Sequence, residues 1–131
     1  MWNADKKEIE DFIVLANRHH LTSKFTAEVS SKEVNFLDTT VYKGERFCDQ
    51  GVLDVRTHFK PTDTFQYTYF SSCHQVGVKK GLIKGKALGL LSTNSSEKSF
   101  YENISNFKTR HRARGYSHNL IERIISEVKF I

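Results

Sequence analysis

Two apolar stripes of helical period, separated by a glycine turn, occupy the last third of the chain and restrict its fold more than any other feature. Phe100, Ile104 and Phe107 recur on one helical face, and His111 continues that face. Leu120, Ile121, Ile124, Ile125 and Val128 form the second stripe. Between them Arg114-Gly115-Tyr116 reads as a turn, with Gly115 at a C′ position and Ser117 available to cap the helix that follows. The first helix starts at Ser95 or Ser96 and runs to about Ala113. Helix, short turn, helix is the outline of a helix-turn-helix or αα-hairpin. Upstream, Gly77 to Leu91 predicts a third helix, which Gly81, Gly85 and Gly89 weaken by roughly 1 kcal/mol each relative to alanine.

The first part of the chain has a different rhythm. Asp5 to His20 places Ile9, Phe12, Ile13 and Ala16 at helical spacing, with Asp5 as the candidate N-cap. Lys24 to Ser30 then alternates like a strand. Val34 to Tyr42 predicts a stronger strand, with Phe36 and Leu37 on opposite faces. Lys43-Gly44 supplies a turn, Glu45 to Cys48 a short return strand, and Asp49-Gln50-Gly51 a second turn. Val52 to Lys60 alternates cleanly, Leu53, Val55, Thr57 and Phe59 facing one way and Asp54, Arg56, His58 and Lys60 forming a polar face. Pro61 ends this strand because it has no ladder donor, and Phe65 to Phe70 follows as an aromatic, extended connector. The expectation is an α+β fold: an N-terminal helix, a small antiparallel β-meander, then a basic helical region ending in a helix-turn-helix. The division falls between residues 1–74 and 75–131.

At 131 residues, with one proline and seven glycines, the chain is of single-core size and is not a disordered segment. Its net charge of +5 is unevenly placed. Before residue 79 there are nine Lys and Arg against eleven Asp and Glu; from residue 79 there are eleven against four. A +7 helical segment points to an anionic partner, nucleic acid first. Two cysteines are too few for a disulfide framework and fit a reducing compartment. The start lacks a signal-peptide pattern, and the longest apolar run, Phe12 to Ala16, is far short of the ~20 residues that span a bilayer. These features predict an intracellular chain without a membrane partner, nuclear if it acts on nucleic acid.

Several residue groups invite a chemical reading. Cys73 beside His74 suggests a nucleophile and its base, but neighbours in an extended chain point to opposite faces. Cys48, His58, Cys73 and His74 lack the short paired spacing of a zinc site, and the His19-His20 doublet suits a helix end. No metal or other cofactor is expected. Asp38 and Asp54 fall on neighbouring predicted strands, where paired carboxylates can hold Mg²⁺, yet each also fits a solvated face. The basic groups are better ordered. Lys79, Lys80, Lys84 and Lys86 fall mostly on one side of a helix, and Lys108, Arg110, Arg112 and Arg114 crowd the end of the next. Tyr67 and Tyr69 share one face of an extended segment, where they can stack on bases. Together with Lys60 and His74, these residues make up a candidate phosphate-binding set.

The order FLD, then THFKPTDTFQY, SSCH, VKKG, LLSTNSS, FKTRHRARGYS and SEVKF resembles reverse transcriptases of Penelope-like elements and related invertebrate retrotransposons. The likeness spans about residues 22–130, the stretch just beyond the catalytic palm. Phe36-Leu37-Asp38, Lys60-Pro61-Thr62 and Ser71-Ser72-Cys73-His74 are its most specific parts. It implies that the hairpin at Phe36-Leu37-Asp38 is the palm end and that Lys60 to His74 joins palm to thumb. The helices from Lys79 onward would then be a thumb holding an RNA/DNA template–primer duplex. The catalytic Y-x-D-D motif is absent, so a non-catalytic role is expected, with the remaining palm as a further partner. Gln75 replaces the family's proline after the histidine, Gly89 and Ser92 stand where arginines are expected, and Ser117 replaces the proline of R-G-Y-P. These departures fit a truncated, drifting element copy that starts inside the old polymerase frame. The competing expectation is a protein-interaction module docking through its aromatic segment and the Leu120–Val128 helix.

Overall fold

The structure is a computed structural model and describes residues 5–130. Among them it shows an α+β fold with five helices and a three-stranded antiparallel sheet. The chain forms two compact units, one ending at Ser31 and one beginning at Lys32.

The first unit contains α1 (Lys6–Asn17), the predicted amphipathic helix, which has no buried residue; Asp5 is its N-cap without a side-chain cap bond. The strand expected over Lys24 to Ser30 does not form. Without a partner strand, the backbone of Phe25 pairs instead with the Asn17 amide, its N–H donating at 2.5 Å and its carbonyl accepting at 3.0 Å.

In the second unit, the single strand predicted over Val34 to Tyr42 is a hairpin of β1 (Glu33–Phe36) and β2 (Thr39–Tyr42). Leu37 adopts φ 54°, a left-handed conformation that closes a two-residue turn, so Phe36 and Leu37 are not opposite faces of one strand. The short return strand expected at Glu45 to Cys48 is a helix, α2 (Glu45–Gln50). Its six residues contain no β-branched side chain, Glu45 stands in its first turn, and Gly51 at φ 67° closes it. Gly44, before it, touches the Asp54 carboxylate so closely that a Cβ would collide. β3 (Asp54–Thr57) completes the sheet in order β1-β2-β3, with Thr39 opposite Thr57 and Tyr42 opposite Asp54.

Three helices build the core: α3 (Val76–Ser92), α4 (Glu97–Ala113) and α5 (His118–Ile125). Ile83, Ala87 and Leu90 of α3 meet Phe100, Ile104 and Phe107 of α4 and Ile121, Ile124 and Ile125 of α5. The stripe read from the sequence is therefore the buried one, and His111 is buried with it. At the α4–α5 turn Gly115 has φ 86°, its N–H reaches Arg112 O and the Tyr116 N–H reaches His111 O, a Schellman motif. Ser117 Oγ then accepts from Leu120 N and caps α5, as expected.

The sheet joins these helices through the polar turn Thr93-Asn94-Ser95. Ser95 N–H donates to Val55 O at 2.8 Å, and Ser95 Oγ accepts from Val55 N at 2.9 Å, so the turn covers the free edge of β3. The Asn94 amide is buried and fully occupied. Its oxygen accepts from Thr57 N, Ser99 Oγ and Asn103 Nδ2, and its nitrogen donates to Thr57 Oγ1 and Leu90 O. Removing it strands groups from β3, α3 and α4 together. Asn94→Ala is expected to lower unfolding free energy by about 2–4 kcal/mol, measured by urea denaturation.

Candidate nucleic-acid interface

The twelve residues proposed from the sequence fall into distinct environments. Lys79 is not on the surface: it is 5% exposed, and its ammonium donates to Phe70 O at 2.5 Å and Ser72 O at 2.7 Å while lying over the Phe70 ring. It pins the connector to α3, because a buried ammonium is stable only with such acceptors. Tyr67 is likewise packed inward, stacked on His111 with 4.4 Å between centroids and edge-on to Phe107. Burial pushes its phenol above the usual range, partly offset by the Arg110 guanidinium. Tyr69 is 54% exposed, and its ring carries the Arg114 guanidinium at 4.4 Å. His74 is exposed, with Nδ1 3.2 Å from Ser72 Oγ.

The remaining cations do not share one helix side. Lys80 and Lys86 lie six residues apart on α3, which turns them about 120° from each other around the axis. Lys80 and Lys84 share one flank, and Lys84 pairs with Glu127 at 2.6 Å. Lys108 pairs with Glu122 at 2.9 Å, holding that carboxyl below its ordinary value. Arg112 is exposed on the outer side of α4.

Lys86 faces the connector instead, as do Arg110, in the last turn of α4, and Arg114, its C-cap four residues on. Arg110 lies over Phe65 at 3.4 Å and over Phe59 at 5.7 Å; Arg114 donates to Gln66 Oε1 at 2.6 Å. Lys86 borders a cleft of about 240 Å³ with Phe59 and Lys60, and a second of about 270 Å³ with Gln66. Shared neighbours thus gather Lys60, Lys86, Arg110 and Arg114 along one flank. Among the described residues none of the four has a carboxylate partner in an ion pair, although Asp38 and Asp63 also border the first cleft. Rings under Arg110 and Arg114 orient them without neutralising them.

The carboxylates give no metal site. Asp38 closes the β1–β2 turn, where its carbonyl accepts from His58 N, four residues or about 13 Å along the strand from Asp54. Asp54 is not on a solvated face either: it is 6% exposed, gripped by Arg46 and by Ser95 Oγ at 3.0 Å, and Arg46 foremost lowers its pKa. Among the described residues no three His, Cys, Asp or Glu side chains converge as metal ligands. Both cysteines are exposed and free.

His111 was legible in the sequence only as a polar residue continuing an apolar face. It is 4% exposed, and Nδ1 lies 3.1 Å from Phe107 O. A carbonyl only accepts, so Nδ1 carries the proton and Nε2 keeps a lone pair. Burial depresses its pKa, outweighing the opposing pull of that carbonyl.

Searches of protein-family models, curated proteins and solved structures return no match to this chain. Among the described residues no helix is long and apolar enough to cross a membrane.

Lys79→Met is expected to cost about 1–3 kcal/mol in stability by stranding two carbonyls, while the salt dependence of any nucleic-acid binding stays unchanged; melting and titration of the same variant check both. His111 titrates lower in the folded chain than its ordinary 6.5, so the unfolded chain takes up its proton first. Stability from this group is complete above pH 6.5 and falls as pH drops through the folded value. His111→Leu should flatten the pH 7-to-5 stability profile, read by urea unfolding. Asp54 and Glu122 act only at lower pH, below their ordinary 3.8 and 4.5.

Proposed function

We propose that this chain is a non-catalytic nucleic-acid-binding segment, of the kind found between the palm and thumb of Penelope-like reverse transcriptases, that grips a template–primer duplex through phosphates. The observation that carries the reading is the connector flank of Lys60, Lys86, Arg110 and Arg114, four cations brought together without an ion-pair partner among the described residues. They are drawn from the connector, α3 and the C-terminal end of α4, so one flank presents several cations to a phosphate backbone. Exposed Tyr69, under Arg114, adds a ring at the same flank. The motif order from FLD to SEVKF supports the retroelement assignment, and the lack of Y-x-D-D supports a binding role. In this reading a polymerase palm is a natural second partner, and the nucleus is the place of action. The alternative of docking through the last helix is disfavoured, because Ile121, Ile124, Ile125 and Val128 are already buried in the chain's own core.

An RNA–DNA hybrid duplex titrated by anisotropy at several salt concentrations tests this. Log affinity is expected to fall linearly with log salt. Lys60→Ala and Lys86→Ala should each reduce the slope by about 0.9, whereas Arg112→Ala, on the outer side of α4, should leave it unchanged. Absence of binding at low salt would sink the proposal.

A further inference from the structure

The second cleft beside that flank has a chemistry that phosphate binding does not use. Its walls include the rings of Tyr67, Phe107 and Tyr116 and the side chain of Leu82, and its volume is about 270 Å³. That is slightly below the roughly 300 Å³ at which drug-sized ligand pockets begin, which suits one flat ring system. Two polar side chains that line it, each more than nine-tenths buried, lack a side-chain partner at one atom. Among the described residues, His111 uses Nδ1 on Phe107 O and leaves Nε2 unpaired, and Tyr116, 4% exposed, makes no hydrogen bond through its hydroxyl. Among the described residues no side-chain nitrogen or oxygen is sealed away without a partner. Both atoms are therefore open, and the cleft is the space that their side chains border. Gln66, whose oxygen is held by Arg114, still has its amide N–H groups free there.

We propose that this cleft receives a single unpaired nucleobase carrying an exocyclic amino group. The aromatic walls supply apolar and π contact to a planar ring. His111 Nε2, a bare acceptor in the neutral tautomer, takes an N–H of the amino group. The Tyr116 hydroxyl donates to a ring nitrogen. Lys86 borders both this cleft and the one that holds Lys60, so it can meet the phosphate of the same nucleotide. The inference uses the phosphate flank only to place the base within a strand; the base site itself stands on the cleft.

The full chain, labelled with ¹⁵N-histidine, would be titrated with adenosine monophosphate, purine riboside monophosphate (the same ring without the amino group) and ribose 5-phosphate. Adenosine monophosphate is expected to shift the His111 Nε2 resonance and to saturate. Purine riboside monophosphate should bind about tenfold more weakly for want of one buried hydrogen bond, and ribose 5-phosphate weaker still. Tyr116→Phe, which keeps the ring, should weaken adenosine monophosphate several-fold at unchanged melting temperature. His111→Leu should abolish the preference for the amino group. Equal affinity for the three ligands, or an Nε2 resonance unmoved at saturation, would overturn the base site while leaving salt-dependent duplex binding to be judged separately. Amino-selective binding with no duplex binding would uphold the base site and remove the phosphate reading. An oligonucleotide with one abasic position, compared with its intact parent, distinguishes a base in a strand from a free nucleotide.

Discussion

The buried amide of Asn94 is the contact on which the arrangement of the second unit turns. The sheet has only three short strands and contributes little to the core, which belongs to α3, α4 and α5. Such a sheet is marginal alone. It is held because Thr93-Asn94-Ser95, between two helices, pairs with the open edge of β3 and satisfies Thr57 and Val55. With β3 fixed there, the chain leaving it at His58 must run along α4. That path brings Lys60 to Lys86 and Phe59 to Arg110, and it lays Tyr67 against His111.

The connector is fastened twice more, and both fastenings use cations. Lys79 holds the carbonyls of Phe70 and Ser72 from beneath, and the Arg114 carbonyl accepts from Phe70 N while its guanidinium reaches Gln66. Positive charge therefore has two roles in this molecule. Lys79, once buried, is structural. Lys84 and Lys108 tie α3 and α4 to carboxylates at or just beyond α5. Lys60, Lys86, Arg110 and Arg114, which pair with no carboxylate among the described residues, lie beside the connector and can meet an anion. A net charge counted along the sequence cannot separate these roles, because separation depends on where acceptors sit in space.

Legibility in the sequence followed the range of the contacts. The α4 stripe, the Gly115 turn and the Ser117 cap involve residues within a few positions of one another, and the structure has them where the periodicity puts them. The hairpin turn at Leu37 was hidden because a leucine in a left-handed conformation goes against its preference, and the surrounding Val, Phe and Thr residues read as one continuous strand. The α2 helix was hidden for the opposite reason: six residues are too few for a period to declare itself. Asp54 read as solvated because alternation assigns a face but not what covers it, and Arg46 and Ser95 cover it.

From the sequence alone came the α+β class, the three-helix basic region, its buried stripe and the turn that folds α5 back, since local propensity, capping and 3.6-residue periodicity are written in neighbouring residues. The tertiary structure decided which cations are structural, that Asp38 and Asp54 stay apart, and that His111 and Tyr116 open into one cleft beside Lys86. Each of these depends on contacts between segments tens of residues apart, made when the Asn94 turn closes on β3 and draws the connector across the helices.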